Sequence, residues 1–121
     1  SFIAFGPIAQ GLLLGKYHHR NPPQFEEGDH RAKKKSFYAE NLARLEPKIE
    51  QLKIKFGPSN QELSRAALQY ILFYKQAGAV IPGFRNLDQV KSNLSGMDNP
   101  LTLEEFEFIK QLFADYLQNK L

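Results

Sequence analysis

The sequence contains no cysteine. That excludes disulfides, thiolate zinc sites and cysteine nucleophiles, and it fits a reducing compartment. Long apolar runs are also absent. The first stretch, Phe2-Ile3-Ala4-Phe5, is interrupted by Gly6-Pro7 and Gln10-Gly11, well short of the ~18 apolar residues of a membrane helix. Its first basic residue, Lys16, follows it instead of preceding it, so it does not read as a secretory signal. Charge of one sign is scarce too. Lys and Arg number 16 and Asp and Glu 13, a net +3, with a pI of about 9.2. An excess that small makes no nucleic-acid footprint unless it clusters. A cytoplasmic protein with no membrane span and no nucleic-acid partner is the expectation.

What is present is ordinary for a globular chain. Hydrophobic residues make up 42% and charged residues 24% of 121 positions, near the average for folded domains and within the size of one domain. Phe2–Phe5 reads as a short strand buried on both faces, stopped by Gly6-Pro7. A chain opening on a central strand leaves that strand's backbone groups unpaired, so the polypeptide reads as part of something larger. Residues 6–35 hold Pro7, Pro22, Pro23, all three histidines and Lys33-Lys34-Lys35. This is a long loop with one short helical turn near Ile8–Leu14, and loops of such length are usually functional or disordered.

Helices follow. Tyr38, Leu42, Leu45, Ile49, Leu52 and Phe56 recur at steps of three and four, an amphipathic face. Pro47 inside the pattern either kinks that helix or starts a second one. Gly57-Pro58 ends it. Ser59 and Glu62 form a capping box ahead of Leu63, Ala66, Ala67, Tyr70, Ile71 and Tyr74, and Gly78 closes this face. Ala79–Pro82 is the second buried-strand candidate. Asn86 caps a short helix to about Ser95. Thr102 and Glu105 open a long terminal helix with Phe106, Ile109, Phe113, Tyr116 and Leu117 on its face. Two buried strands separated by helices predict βαβ units and a parallel sheet, an α/β class. Two strands alone cannot cover both faces of such a sheet, so the remaining strands come from elsewhere.

Parallel sheets place their chemistry after the strand ends. Two segments stand there: Gly6-Pro7-Ile8-Ala9-Gln10-Gly11 and Gly83-Phe84-Arg85-Asn86. A glycine-rich turn presents N–H donors, and an arginine before a helix N-terminus adds charge to the dipole. Together they suit a phosphate-bearing ligand; singly, each also reads as a tight turn and a surface arginine. Other patterns fail. Gly11–Lys16 is one residue short of a P-loop and is followed by Tyr17 where Ser or Thr binds magnesium. There is no G-x-G-x-x-G. His18, His19 and His30 lack thiols and a helical i, i+4 pair, so they do not read as a metal site. Lys33–Lys35 reads as a solvated loop. Tyr116 and Lys120 have a reductase-like spacing but fall in a packing face and a terminal turn. No nucleophile–base pair can be assembled.

The assembled residues resemble the C-terminal half of the aldo-keto reductase family. Ile3–Tyr17 is similar to the family's "A-Y-S-P-L-x-x-G-L-L-T-G-K-Y", and Gly28-Asp29-His30-Arg31 to its "G-D-x-R". Ser59–Tyr70 resembles "S-x-x-Q-L-A-L-x-W", Ile81–Asn93 resembles "I-P-G-x-R-x-x-x-Q-x-x-E-N", and Leu101–Glu105 matches "L-x-x-E-E". The likeness covers essentially the whole chain, in order.

The resemblance implies a partial (β/α)8 TIM barrel: residues 1–121 would be its last two parallel strands, their helices and a C-terminal helix. It implies NADPH as cofactor and reduction of aldehydes or ketones to alcohols. Gly6, Pro7, Ile8, Gln10 and Gly11 match the loop that covers the pyrophosphate, with Lys16 and Arg31 from the long loop. Gly83, Arg85, Gln89 and Asn93 match the positions holding the adenosine 2′-phosphate and adenine. Ser92 stands where the family has Glu, which removes one adenine contact. The family's catalytic Asp, Tyr, Lys and His lie in its N-terminal half, so no residue here matches a catalytic position, and no metal is implied. The implied partners are a small carbonyl substrate and the other half of the barrel. Alone, a half-barrel is expected to aggregate or to pair, as in a homo-oligomer, to cover its open sheet edges. The alternative is a non-catalytic cofactor-binding regulatory or interaction module, as some relatives are.

Overall fold

The computed structural model describes residues 1–118, with side chains as far as Tyr116. Its described strands are Phe2–Phe5 (β1) and Ala77–Ile81 (β2), and they pair in parallel. Ile3 faces Ala79, Ala4 faces Val80 and Phe5 faces Ile81, with an irregularity between Phe2 and Ile3. The pairing bears out the parallel α/β expectation. Three details differ. β2 begins two residues before the predicted strand. Gly78 therefore lies within it instead of ending the helix before it. The strands are also not buried on both faces.

Side chains alternate across a strand, so Ile3, Phe5, Ala79 and Ile81 share one face. That face is open: Ile3 is 65%, Phe5 86% and Ile81 57% exposed. Ala4 and Val80, on the other face, are half-buried, and helix Asn60–Leu72 (α2) packs against β2 on this chain. The apolar runs fit a doubly covered strand, but the described residues cover only one side.

The core lies instead among the helices. Ala39–Phe56 (α1) runs as one helix through Pro47, which resolves the two readings of that proline. Its predicted stripe is the buried one: Leu42, Leu45, Ile49, Leu52 and Phe56. These residues meet Leu63 and Ala66 of α2, Leu12 of the long loop, Phe37 in the turn Lys35–Phe37, Leu101, and Ile109 of a helix Leu103–Leu112. The turn at Ile8–Leu14 is a 3-10 helix over Ala9–Leu14. On α2, burial reaches beyond the apolar face to Ser64, Arg65, Leu68 and Gln69. Arg65 Nε donates to Asn99 O at 2.9 Å, and Gln69 Nε2 donates to Gly96 O at 2.9 Å and Met97 O at 3.0 Å. These polar groups hold the turn that follows the short helix Leu87–Leu94 (α3), which the apolar period alone could not reveal.

The N-caps are where the sequence placed them, though the predicted box at Ser59 and Glu62 forms only in part. Ser59 Oγ accepts from Glu62 N–H without a return bond from Ser59 N–H to the Glu62 carboxylate, and Asn86 Oδ1 accepts from Gln89 N–H. Thr102 and Glu105 make a complete capping box at the start of Leu103–Leu112 (α4). Thr102→Ala is expected to cost about 1 kcal/mol, read as a lower urea midpoint with unchanged slope. The terminal helix is not continuous: it breaks at Phe113 and resumes as Ala114–Gln118 (α5). Lys48 of α1 sits at the break. Its Nζ donates to Leu112 O at 2.7 Å and to Asp115 Oδ1 at 2.7 Å, and Tyr116 N–H donates to Phe113 O. The Leu117 side chain and Lys120 lie outside the described residues. No helix among the described residues is long and apolar enough to cross a membrane.

Candidate functional site

Parallel strands put their C-terminal ends on the same edge. Here β1 runs into Gly6 and β2 into Gly83, and Gly6 N–H donates to Ile81 O at 3.2 Å. After Gly6 the backbone turns sharply. Gly6 has φ 65°, Ala9 50°, Gln10 58° and Gly11 93°. These are left-handed values that cost a residue with a Cβ about 1 kcal/mol or more. Ala9 and Gln10 are therefore held there by their surroundings. Gly15 closes the turn at φ 66°, where a Cβ would sit 2.8 Å from Ile49 Cγ2.

A cavity of about 550 Å³ opens at this edge. The first loop lines it with Gly6, Ile8, Gln10 and Gly11, and the long loop adds Lys16, Tyr17 and Arg31. The second strand end adds Gly83, Phe84 and Arg85, and α3 adds Asp88, Gln89, Ser92 and Asn93. So two segments 70 residues or more apart in the chain share one wall. The first turn of α2 contributes Asn60 and Gln61. Two capped helix N-termini thus border the same space, each carrying the partial positive charge of its dipole.

Of the predicted residues, Pro7 is the exception. It is buried beneath the loop and does not line the cavity. The signal missed in the sequence is α2: Asn60 and Gln61 directly follow the Ser59 cap, and a capped first turn offers N–H groups wherever it points.

Charge is unevenly committed. Lys16 and Arg85 have no acidic partner within 4.0 Å among the described residues. Arg31 is different. Its guanidinium grips Asp29 through Nη2 at 2.6 Å and Nε at 3.1 Å, and lies 4.5 Å over the Phe25 ring. The guanidinium hydrogen bond, joined by the Arg31 backbone N–H, holds the Asp29 carboxyl well below the usual carboxylate range. Arg31 frames the cavity with its charge already balanced.

The second loop is held from within. Arg85 N–H donates to Gln89 Oε1 at 2.6 Å, and Asn93 Nδ2 donates to Gly83 O at 3.3 Å. Ser92 Oγ is buried with no hydrogen-bond partner. The long loop is anchored by aromatic packing, with Tyr17 and Phe25 both edge-on to Phe37 at 5.3 and 5.1 Å. A wider hollow of about 700 Å³ lies between α1 and α4–α5. It contains the Lys48–Asp115 pair and none of the predicted residues, so the smaller cavity is where the chemistry converges.

A model of the aldo/keto reductase family matches residues 1–114. The chain belongs to the aldo/keto reductase family. Individual relatives agree. The chain is similar to an aldo-keto reductase of Strobilurus tenacellus, 29% identical over 112 residues, which is 93% of this chain and 33% of the relative. It is also similar to uncharacterized oxidoreductases of Mycobacterium bovis and Mycobacterium tuberculosis, each 33% identical over 102 residues, 84% of this chain and 30% of theirs. The chain spans about a third of the length of these curated relatives. Within this aldo/keto reductase segment Tyr17 is packed among phenylalanines, and Tyr116 lies beneath the Arg44 guanidinium at 5.5 Å. Both positions are explained by packing.

Proposed function

We propose that the cavity holds the adenosine and diphosphate end of a nicotinamide dinucleotide, and that the intact protein uses NADPH to reduce aldehydes or ketones to alcohols. One observation carries this reading. Two helix N-termini and two cations without acidic partners meet at the C-terminal edge of two parallel strands. That donor set suits phosphate oxygens, and the volume lies in the roughly 300–1,000 Å³ range of ligand pockets.

In this assignment Gly6, Ile8, Gln10, Gly11 and Lys16 take the diphosphate. Arg85 takes the 2′-phosphate, while Gly83, Gln89 and Asn93 shape the loop and helix that present it. The cofactor, when bound, supplies the hydride. Residues 1–121 form the C-terminal portion of one (β/α)8 barrel, with β1 and β2 as its last two strands. The open face of Ile3, Phe5, Ala79 and Ile81 then packs against the rest of the barrel interior. This chain binds and orients the cofactor, and no catalytic role falls on its residues.

The test is a carbonyl-dependent loss of NADPH absorbance by the intact protein with a panel of aldehydes and ketones. Turnover above the uncatalysed rate is the expected result. Tight NADPH binding with no turnover would favour a regulatory module. No binding at all would remove the cofactor assignment.

A further inference from the structure

The cavity extends between two helices. From α2 come Asn60, Gln61 and Ser64, and from α3 come Gln89, Ser92 and Asn93. This part of the wall is made of amides and hydroxyls. Much of α3's share is already bonded. Gln89 Oε1 accepts from the Arg85 N–H, and Asn93 Nδ2 donates to Gly83 O. Ser92 Oγ is different. Among the described residues it is the buried side-chain polar atom with no hydrogen-bond partner. A buried hydroxyl left unpaired opposes folding. Proteins pair nearly all such groups, so an exception on a cavity wall points to a ligand. Ser92 stands roughly 9 Å along α3 from the Asn86 cap, at 1.5 Å per residue. A phosphate held by Arg85 at the start of this helix therefore leaves room for a nucleoside base beside Ser92.

We propose that Ser92 is a specificity-determining residue: its hydroxyl bonds the C6–N1 edge of the cofactor's purine and accepts adenine and hypoxanthine alike. The purine in this statement rests on the cofactor reading above. The indifference between the two bases rests on the hydroxyl. Rotation about Cα–Cβ, from one staggered position to another, brings Oγ from beneath the wall to its surface. Adenine and hypoxanthine exchange donor for acceptor along that edge. Adenine has an amino group at C6 and a bare N1; hypoxanthine has a carbonyl at C6 and an N–H at N1. A hydroxyl both donates and accepts, and its hydrogen swings to suit. It meets either base with one bond. A carboxylate at the same position only accepts, so it would meet the amino group and repel the carbonyl. Asp88 also lines the cavity, but it is exposed and one turn nearer the phosphate end, where water solvates its carboxylate.

Titration of the intact protein with NADPH and with its reduced hypoxanthine analogue tests this in wild type, Ser92→Ala and Ser92→Asp. Wild type is expected to bind the two dinucleotides within about threefold of each other, since each makes one bond to the hydroxyl. Ser92→Ala should bind both roughly three- to tenfold more weakly, the effect of one lost hydrogen bond, and again without preference. Its ligand-free thermal midpoint should equal or exceed that of wild type, because removing an unpaired hydroxyl strands no partner. Ser92→Asp should favour the adenine form roughly tenfold or more, since bonds to charged groups are stronger. Wild type and Ser92→Ala decide the matter by themselves if a buried carboxylate keeps Ser92→Asp from folding. A wild-type preference beyond that threefold, Ser92→Ala affinities equal to wild type, or a folded Ser92→Asp without preference would overturn the proposal. So would a Ser92→Ala midpoint that falls together with its affinities, the mark of a structural role. Wild type that binds neither dinucleotide would remove the cofactor reading, and this inference with it.

Discussion

Changing Arg85 to glutamate is expected to weaken NADPH binding roughly a hundredfold while leaving NADH within about threefold, since a hydrogen bond to a charged group contributes about 1.5–3 kcal/mol and charge reversal adds repulsion. The asymmetry is the informative part. Only NADPH carries the 2′-phosphate. Arg85 is exposed and has no acidic partner among the described residues, so its replacement leaves no buried charge behind. Its backbone N–H, not its side chain, binds Gln89, so the loop keeps its internal bond in the variant. Titration of both cofactors by fluorescence measures the two affinities, and an unchanged thermal midpoint verifies folding. Equal losses for NADPH and NADH would remove Arg85 from the 2′-phosphate. That outcome leaves the diphosphate assignment to Lys16 and the first loop standing.

A second large effect is expected in the helical core. Leu42 is 1% exposed and belongs to the cluster that joins α1, α2 and the 3-10 helix. Truncation to alanine removes its packing and leaves a cavity, a loss of about 2–5 kcal/mol for a buried leucine. The same helix supplies its own control. Ile54 is 85% exposed, so Ile54→Ala is expected to change stability by less than about 0.5 kcal/mol. Urea unfolding compares the pair: the Leu42 variant should lose midpoint at constant slope, and the Ile54 variant should match wild type. Equal midpoints for the two variants would mean that α1 is not packed as described. Because Leu12 shares this core with Leu42, the Leu42 variant should also loosen the turn that carries Gln10.

The helices were legible because their signals are local. The stripe Leu42, Leu45, Ile49, Leu52 and Phe56 needs only a period near 3.6, and Ser59, Asn86 and Thr102 need only the orphan N–H groups of the turn that follows them. The cavity residues were legible for another reason. Glycine turns and an arginine at the two strand ends are recognisable before the ends are known to be neighbours. Three features were not. The break at Phe113 coincides with a long-range bond, from Lys48 Nζ to the Leu112 carbonyl. The burial of Arg65 and Gln69 depends on the turn after α3, whose carbonyls they satisfy. Lys34 is as exposed as a solvated run predicts, but its bond to Gln10 Oε1 joins residues 24 apart in the chain.

By itself, the sequence determined the order of the strands and of the helices as far as Phe113, the N-caps, the parallel α/β class and the family. Each follows from short-range periodicity or from motifs that keep their spacing. Only the tertiary structure decided that the two strand ends, the first turn of α2 and the long loop enclose one cavity. It also decided that Arg31 is already balanced while Lys16 and Arg85 are not, and that one sheet face stands open. Those properties depend on which distant groups come within hydrogen-bonding or ion-pairing reach. Chain order does not encode such distances, because a charge or carbonyl is committed by its neighbours in space.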